Sequence, residues 1–331
     1  MCRGVQNQSF LATIPTERII ISKDLSKQDS SEQGTWTKEV MLLYSDNFFK
    51  SRSSIMKQAQ YFLITNDFFF AIRVEDEKSQ DVTLYVSDPK LKPYKFKPVE
   101  LPLKNELYDR SITILDASQG QVFLHVTHEG VRAKYGNVYI SDAQGLRYSL
   151  SLENNAKDIG EDACEIEKVT GLEGIFIANV YDSDMVEKTR DEMVGRVFIP
   201  KKKSQFGSSG AKALSKRVKD LDKYKKTKIS FDKGGMWEPL KPPKTNYEGE
   251  KIECPEKVCS LHLHSAASAR FGPLYSPSGS LGIILGTGNV GQYLSQQADE
   301  INTYLSRDGG MRWYEVCFLF YLEDIIHYQL D

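Results

Sequence analysis

Three groups of residues have the types and spacing to do chemistry. Cys254 and Cys259 are followed by His262 and His264, which alternate as on a strand, so two thiols and two imidazoles fall within eleven residues. Such a set could hold zinc, but neither Cys-to-His spacing matches a known zinc module. Gly286-x-Gly288-x-x-Gly291 follows the apolar run "GIIL" and has the spelling of a dinucleotide-binding turn. That turn must open a helix that crosses to a parallel strand. Only 14 residues separate Gly291 from Ser306, and they already feed the next turn. The three glycines are therefore read as shaping a tight loop between strands. The third group repeats: Ser230-x-Asp232-x-Gly234-x-x-Trp237 returns as Ser306-x-Asp308-x-Gly310-x-x-Trp313.

The repeat has a physical reading. A strand arrives, then turns sharply, and the Asp carboxylate accepts backbone N–H bonds inside the turn. The Gly takes a backbone conformation that a Cβ would oppose. The aromatic ring packs back over the turn. This is an Asp box, a hairpin device of β-propeller blades. A worn copy has Ser141, Gly145 and Tyr148 in place, with Ala143 where the Asp is expected. Ser87 with Tyr94, and Ser45 alone, mark two fainter copies.

The elements that must position these turns follow from the same pattern. Short apolar runs precede them: "FFFAIRV" before Ser87, "QVFLHV" before Ser141, "GIFIANV" before Ser230 and "GIILGTG" before Ser306. The serines are 42, 54, 89 and 76 residues apart. The first two intervals suit a four-stranded blade. The third contains residues 201–228, with eleven Lys/Arg against two acids, read as a basic loop inserted between strands, its second half able to form a short helix. The fold class expected is all-β, a series of propeller blades.

Bulk properties narrow the function. The 331 residues carry 43 basic and 45 acidic side chains, so no global field points to nucleic acid. No stretch approaches the roughly 18 to 20 apolar residues that span a bilayer. The start lacks the uninterrupted apolar segment of a signal peptide, which taken literally suggests a cytosolic protein. Five cysteines in a chain this long are no disulfide scaffold. Asn7 heads the one glycosylation sequon, His125 and His128 are read as packing or solvent-facing, and Lys216-Arg217 is a dibasic pair.

"GGMWEPLKPP", Cys254 and Cys259, "CSLHLH", "GIILGTGNVG" and "TYLSRDGGMRW", in that order, resemble the sortilin family of sorting receptors. "YDRSITILD", "VFLHVTH" and "NVYISDAQGLRYSLSL" resemble its blades. The resemblance runs from about residue 40 to 316 and is most specific from 229 to 316. It implies a vacuolar-protein-sorting-ten domain, a ten-bladed propeller of which five or six blades are expected here as a partial arc. Residues 1–39 are expected to be poorly ordered or a partial blade start, and 317–331 a non-family tail on a truncated chain. It implies a Cys254–Cys259 disulfide and a luminal address in the Golgi, endosomes or cell surface. It implies membrane anchoring through a segment absent from this sequence, and peptide, propeptide or secreted-protein ligands, with no cofactor, metal or nucleic acid. The ligand-contacting residues are unknown. The alternative is an Asp-box glycoside hydrolase of the sialidase type. That chemistry needs an arginine cluster and a Tyr nucleophile with an acidic partner. Arginines are sparse before residue 130, and the box aspartates point into their own turns.

Overall fold

The computed structural model describes residues 12–14, 18–24, 40–76, 81–91, 93–102, 107–108, 111–118, 120–127, 133–158, 163–189, 221–255, 258–265 and 274–317. The chain forms two compact units. Met1–Glu153 with Ile159–Cys164 make the first, and Asn154–Asp158 with Glu165–Asp331 the second.

The first unit contains three antiparallel meanders. Strands β1 (Ala12–Ile14), β2 (Arg18–Asp24), β3 (Val40–Ser45) and β4 (Ser53–Lys57) lie side by side in chain order. The blade series thus starts ahead of residue 40, because β1 and β2 complete the first sheet through the β2–β3 pairing of Ile19–Asp24 with Val40–Ser45. The second meander is β5 (Ala59–Ile64), β6 (Phe69–Asp76), β7 (Asp81–Ser87) and β8 (Lys97–Pro98), with β9 (Leu107–Tyr108) also on β7. The third is β10 (Ile112–Asp116), β11 (Phe123–Val126), β12 (Tyr135–Ser141) and β13 (Tyr148–Asp158). The last residues of β13 belong to the second unit, where Asn155 pairs with Val180.

The second unit holds two more meanders, after the two-residue strand β14 (Ala163–Cys164). One runs β15 (Ile166–Lys168), β16 (Phe176–Tyr181), β17 (Lys225–Ser230), β18 (Glu238–Pro239). The other runs β19 (Ser260–Leu263), β20 (Ile284–Gly291), β21 (Asn302–Ser306), β22 (Tyr314–Val316). Among the described residues there are therefore five four-stranded meanders. Ser45, Ser87, Ser141, Ser230 and Ser306 each end the third strand of one.

The apolar runs are the second strands, and their burial explains why they do not alternate. Phe69 and Ala71 pack with Ile20, Leu42 and Ala59 on one side of the second sheet. Phe68 and Phe70 pack with Leu84, Val122, Leu124 and Tyr139 on the other. A strand covered on both faces is apolar toward both and so loses the alternation. In the second unit Ile177, Ile229, Leu261, Ile284, Tyr304 and Trp313 form the equivalent core.

The basic insert ends sooner than residue 228. Leu221–Tyr224 make one 3-10 turn, and Lys225–Ser230 are β17, paired with β16 from Tyr181↔Lys225 to Phe176↔Ser230. Thr227 and Ile229 are buried while Lys226 and Lys228 are half-buried, the period of a strand. Residues 201–220 and 318–331, Cys2, Asn7, His128 and Lys216-Arg217 lie outside the described residues.

Candidate functional site

The blade corners are built from one serine outward. In the fourth blade Ser230 Oγ donates to Asp232 Oδ1 (2.9 Å) and accepts from the Gly234 N–H (2.8 Å), while Asp232 Oδ1 accepts from the Met236 N–H (2.9 Å). In the fifth, Ser306 Oγ donates to Asp308 Oδ1 (3.1 Å), accepts from Gly310 N–H (2.8 Å), and Asp308 accepts from Arg312 N–H (2.9 Å). Trp313 is buried and its Nε1 donates to the Gly310 carbonyl (2.9 Å), pinning the turn; Trp237 is half-buried. The Met236 N–H holds the Asp232 carboxyl below its usual range. Burial would raise Asp308, but the side-chain and backbone bonds from Arg312 outweigh it and hold that carboxyl low as well.

The first corner carries the same circuit without an aspartate. Ser45 Oγ donates to Asn47 Oδ1 (2.9 Å) and accepts from Phe49 N–H (2.9 Å), and Asn47 Oδ1 accepts from Ser51 N–H (2.9 Å). The signal was present in Ser45-x-Asn47, with Asn standing in as acceptor. The left-handed positions that Lys233, Gly234, Gly309 and Gly310 occupy elsewhere are filled by Phe48 (φ 54°) and Phe49 (φ 60°). Each costs on the order of 1–2 kcal/mol.

The Ser141, Gly145, Tyr148 copy is corrected: it is a different turn rather than a worn box. Asp142, adjacent to the serine, accepts from Gln144 N–H (3.1 Å) and Leu146 N–H (3.0 Å). Ser141 Oγ is turned away, accepting from Val122 N–H (2.9 Å). Gly145 has φ 67°, as its role requires, and Tyr148 lies in the core, where burial pushes its phenol well up. The second corner is of this kind too, with Asp88 accepting from Lys90 N–H (2.7 Å). Moving the acid one residue toward the serine changes which N–H groups it reaches.

The glycine run is a strand and not the expected tight loop. Gly286, Gly288 and Gly291 lie in β20, with Leu263↔Gly288 in register. A Cβ on Gly288 would run into the His262 carbonyl, and one on Gly286 would meet Leu274 Cδ1 at 3.1 Å. Gly288 permits close backbone approach, while Gly286 makes room for the Leu274 and Leu263 side chains.

Cys254 and Cys259 are joined in a disulfide, Cα atoms 5.3 Å apart. The two histidines do not join them. His262 Nδ1 accepts from Thr227 N–H (3.0 Å), so its Nε2 carries the proton, 3.1 Å from the Gly291 carbonyl. Burial pushes both His262 and His264 down to about 4, so both are neutral at pH 7. Among the described residues no cluster of three or more His, Cys, Asp or Glu is placed to hold a metal.

A buried polar seam in the second unit escaped sequence reading. Asn155 Nδ2 donates to the carbonyls of Glu165 (3.0 Å) and Asn179 (2.9 Å). Asn179 Nδ2 donates to Glu165 Oε2 (2.9 Å) and the Leu263 carbonyl (3.1 Å). Thr227 Oγ1 donates to Asn179 Oδ1 (2.6 Å) and accepts from Leu263 N–H (2.9 Å). Lys225, counted by composition with the basic loop, pairs with Glu165. The seam ties β13, β16, β17 and β19 to Glu165, just ahead of β15, and gives the Leu263 N–H and carbonyl side-chain partners. Beside it is a shallow recess, large enough for no more than about one water, lined by Glu165, Glu167, Asn179, Leu263, His264 and Ser265.

Repeated antiparallel meanders, each turned after a serine that ends its third strand and three of them by the same serine-led hydrogen-bond circuit, define a β-propeller type of blade series. The family model described as "Sortilin, neurotensin receptor 3" (Sortilin-Vps10) matches residues 3–318. The chain belongs to this sortilin–Vps10 family. It is 29% identical over 295 residues to a vacuolar protein sorting/targeting protein 10 of Mycosarcoma maydis, covering 88% of this chain and 17% of that protein. It is 30% identical over 299 residues to a human sortilin-related receptor, covering 82% and 11%. The chain spans less than a fifth of the length of these relatives. Among solved structures, a xyloglucanase from Xanthomonas campestris is 10% identical with a TM-score of 0.35, over 91% of this chain and 37% of that one. A Trypanosoma rangeli sialidase is 9% identical with a TM-score of 0.29, over 95% and 48%. Scores this low carry nothing about activity.

Proposed function

We propose that this chain is a ligand-binding part of the luminal propeller of a sortilin-type sorting receptor, and that it captures peptides, propeptides or secreted proteins for carriage between Golgi and endosomes. The observation that carries the reading is the family match over residues 3–318, with relatives named as sorting proteins and a sortilin-related receptor. The chemistry of the corners and seam agrees. Asp232 and Asp308 are engaged in their own turns, and His262 is bonded at both ring nitrogens. These groups hold backbone in place and leave a scaffold whose strand edges can bind. An extended peptide would pair its backbone with an exposed strand edge and place alternate side chains in pockets. Among the described residues no helix is long and apolar enough to cross a membrane. In this reading the anchor belongs to a segment outside this sequence, and the Cys254–Cys259 disulfide suits an oxidising lumen.

The test uses one preparation of the full chain. Surface plasmon resonance against synthetic propeptide segments should give saturable binding, while fluorogenic sialosides and other glycosides remain uncleaved. Turnover that scales with protein concentration would replace this reading with the glycosidase one.

A further inference from the structure

Successive blades within a unit cover one another through one set of positions. In the fourth blade Phe176 pairs with Ser230, so Ile177 lies opposite Ile229 and Asn179 opposite Thr227. All four are buried, the isoleucines against Leu261 and Leu263 and the polar pair in hydrogen bonds to Leu263. In the first blade the same positions are Ile20 opposite Tyr44 and Ser22 opposite Leu42. Ile20, Leu42 and Tyr44 pack against Ala59, Phe62 and Ile64 of β5. In the fifth blade Ile284 pairs with Ser306, which puts Leu285 opposite Leu305 and Thr287 opposite Thr303. These four are only half-buried, as is Val316 beside Thr303, and Tyr314 beside Leu305 is 51% exposed. The Thr287 hydroxyl is shielded from solvent yet has no hydrogen-bond partner among the described residues. This face repeats the composition of the covered ones without their burial.

The first unit shows how such a face is covered. β4 ends at Lys57, and after Gln58 alone β5 begins at Ala59 and packs over the first blade. β22 ends at Val316 and Cys317 follows. Phe318-Leu319-Phe320-Tyr321-Leu322 comes next, before Glu323 and Asp324 end the apolar run. Phe318, Phe320 and Leu322 share one side of an extended chain. We propose that the segment 318–322 is the cover of the fifth blade. It packs as an extended strand with those three side chains on Leu285 and Leu305, and its backbone partners Thr287 and Thr303 as Leu263 partners Asn179 and Thr227. The family match stops at residue 318, so this cover belongs to the chain itself. Attachment favours it over a second copy or a free peptide, because so short a tether gives an effective concentration on the order of mM.

The experiment places a thiol on the face with Thr303→Cys in the full chain and follows its maleimide labelling by peptide mass spectrometry. Buried Cys164 reports unfolding in the same sample. Slow labelling at position 303 is expected. Adding Phe318→Asp with Phe320→Asp should raise that rate at least about tenfold while Cys164 stays protected, since local opening exposes one surface and spares the rest. Phe318→Leu with Phe320→Leu should keep the protection. If the aspartate pair also exposes Cys164, Phe320→Ser alone is read in the same way. Equal rates at position 303 with and without the aspartates would overturn the proposal. So would protection that fades as the protein is diluted, which would make the cover a second copy of the chain.

Discussion

A hydroxyl that donates to a neighbouring side-chain oxygen while accepting a backbone N–H closes the first, fourth and fifth corners into a ring of hydrogen bonds. The first corner shows that the ring needs an acceptor at the third position but no charge, since Asn47 makes the contacts that Asp232 and Asp308 make. Asp232→Asn should therefore be nearly neutral in a thermal melt. Asp232→Ala, which removes the acceptor from the Met236 N–H and the partner of Ser230, should cost about 1–2 kcal/mol. Both box carboxyls are held low when folded, so their contribution is present above the ordinary carboxylate range and is lost as pH falls below it. Melts taken from pH 5 downward should show Asp232→Asn losing less stability than wild type. An equal loss would mean that the carboxylate form is not what the turn stabilises.

At the scale of the element, close approach decides what glycine is for. Along β20 the side chain is absent where the β19 backbone passes, and Gly288→Ala would drive a Cβ into the His262 carbonyl. The strands must part, and with them the Thr227 and Asn179 bonds to Leu263. A loss of more than about 2 kcal/mol is expected, read as a lower urea midpoint. Gly291→Ala, whose nearest neighbour is the Asn289 amide nitrogen at 3.1 Å, should be much milder. Comparable losses would show that the pairing tolerates the insertion. The Lys225–Glu165 pair belongs to this scale too. Both side chains are largely buried, so breaking the pair by changing one member strands the other charge.

For the molecule as a whole, the buried histidines make stability depend on pH. His262 and His264 titrate at about 4 when folded, well below an unfolded histidine near 6.5. Between those values the unfolded chain binds protons that the folded chain does not, so stability is complete above about pH 6.5 and falls as pH drops toward 4. Each histidine can remove at most about 1.4 kcal/mol per pH unit across that window. The urea midpoint at pH 5 should lie clearly below that at pH 7, and His262→Gln should flatten the difference. A midpoint that rises on acidification would contradict the assignment of His262 as a neutral, Nε2-protonated core residue. This dependence belongs to the second unit, where both histidines sit.

The repeat of Ser, Asp, Gly and Trp, and the apolar run ahead of each, were enough to specify blades, because a hairpin circuit and a doubly covered strand are short-range patterns. The order of those runs carried the family as well. Tertiary packing decided the rest. Whether Gly286-x-Gly288-x-x-Gly291 is a loop or a strand depends on the His262 carbonyl lying opposite, which is remote in sequence. Lys225 reads as one more cation in a basic stretch until β17 pairs with β16 and brings it to Glu165. Asn155, Asn179 and Thr227 are unremarkable polar residues in sequence. They become a seam because three strands present them to one another, and in a buried setting each must find a partner. Local geometry is written in neighbouring residues, while burial and partnership are properties of residues that only the fold brings together.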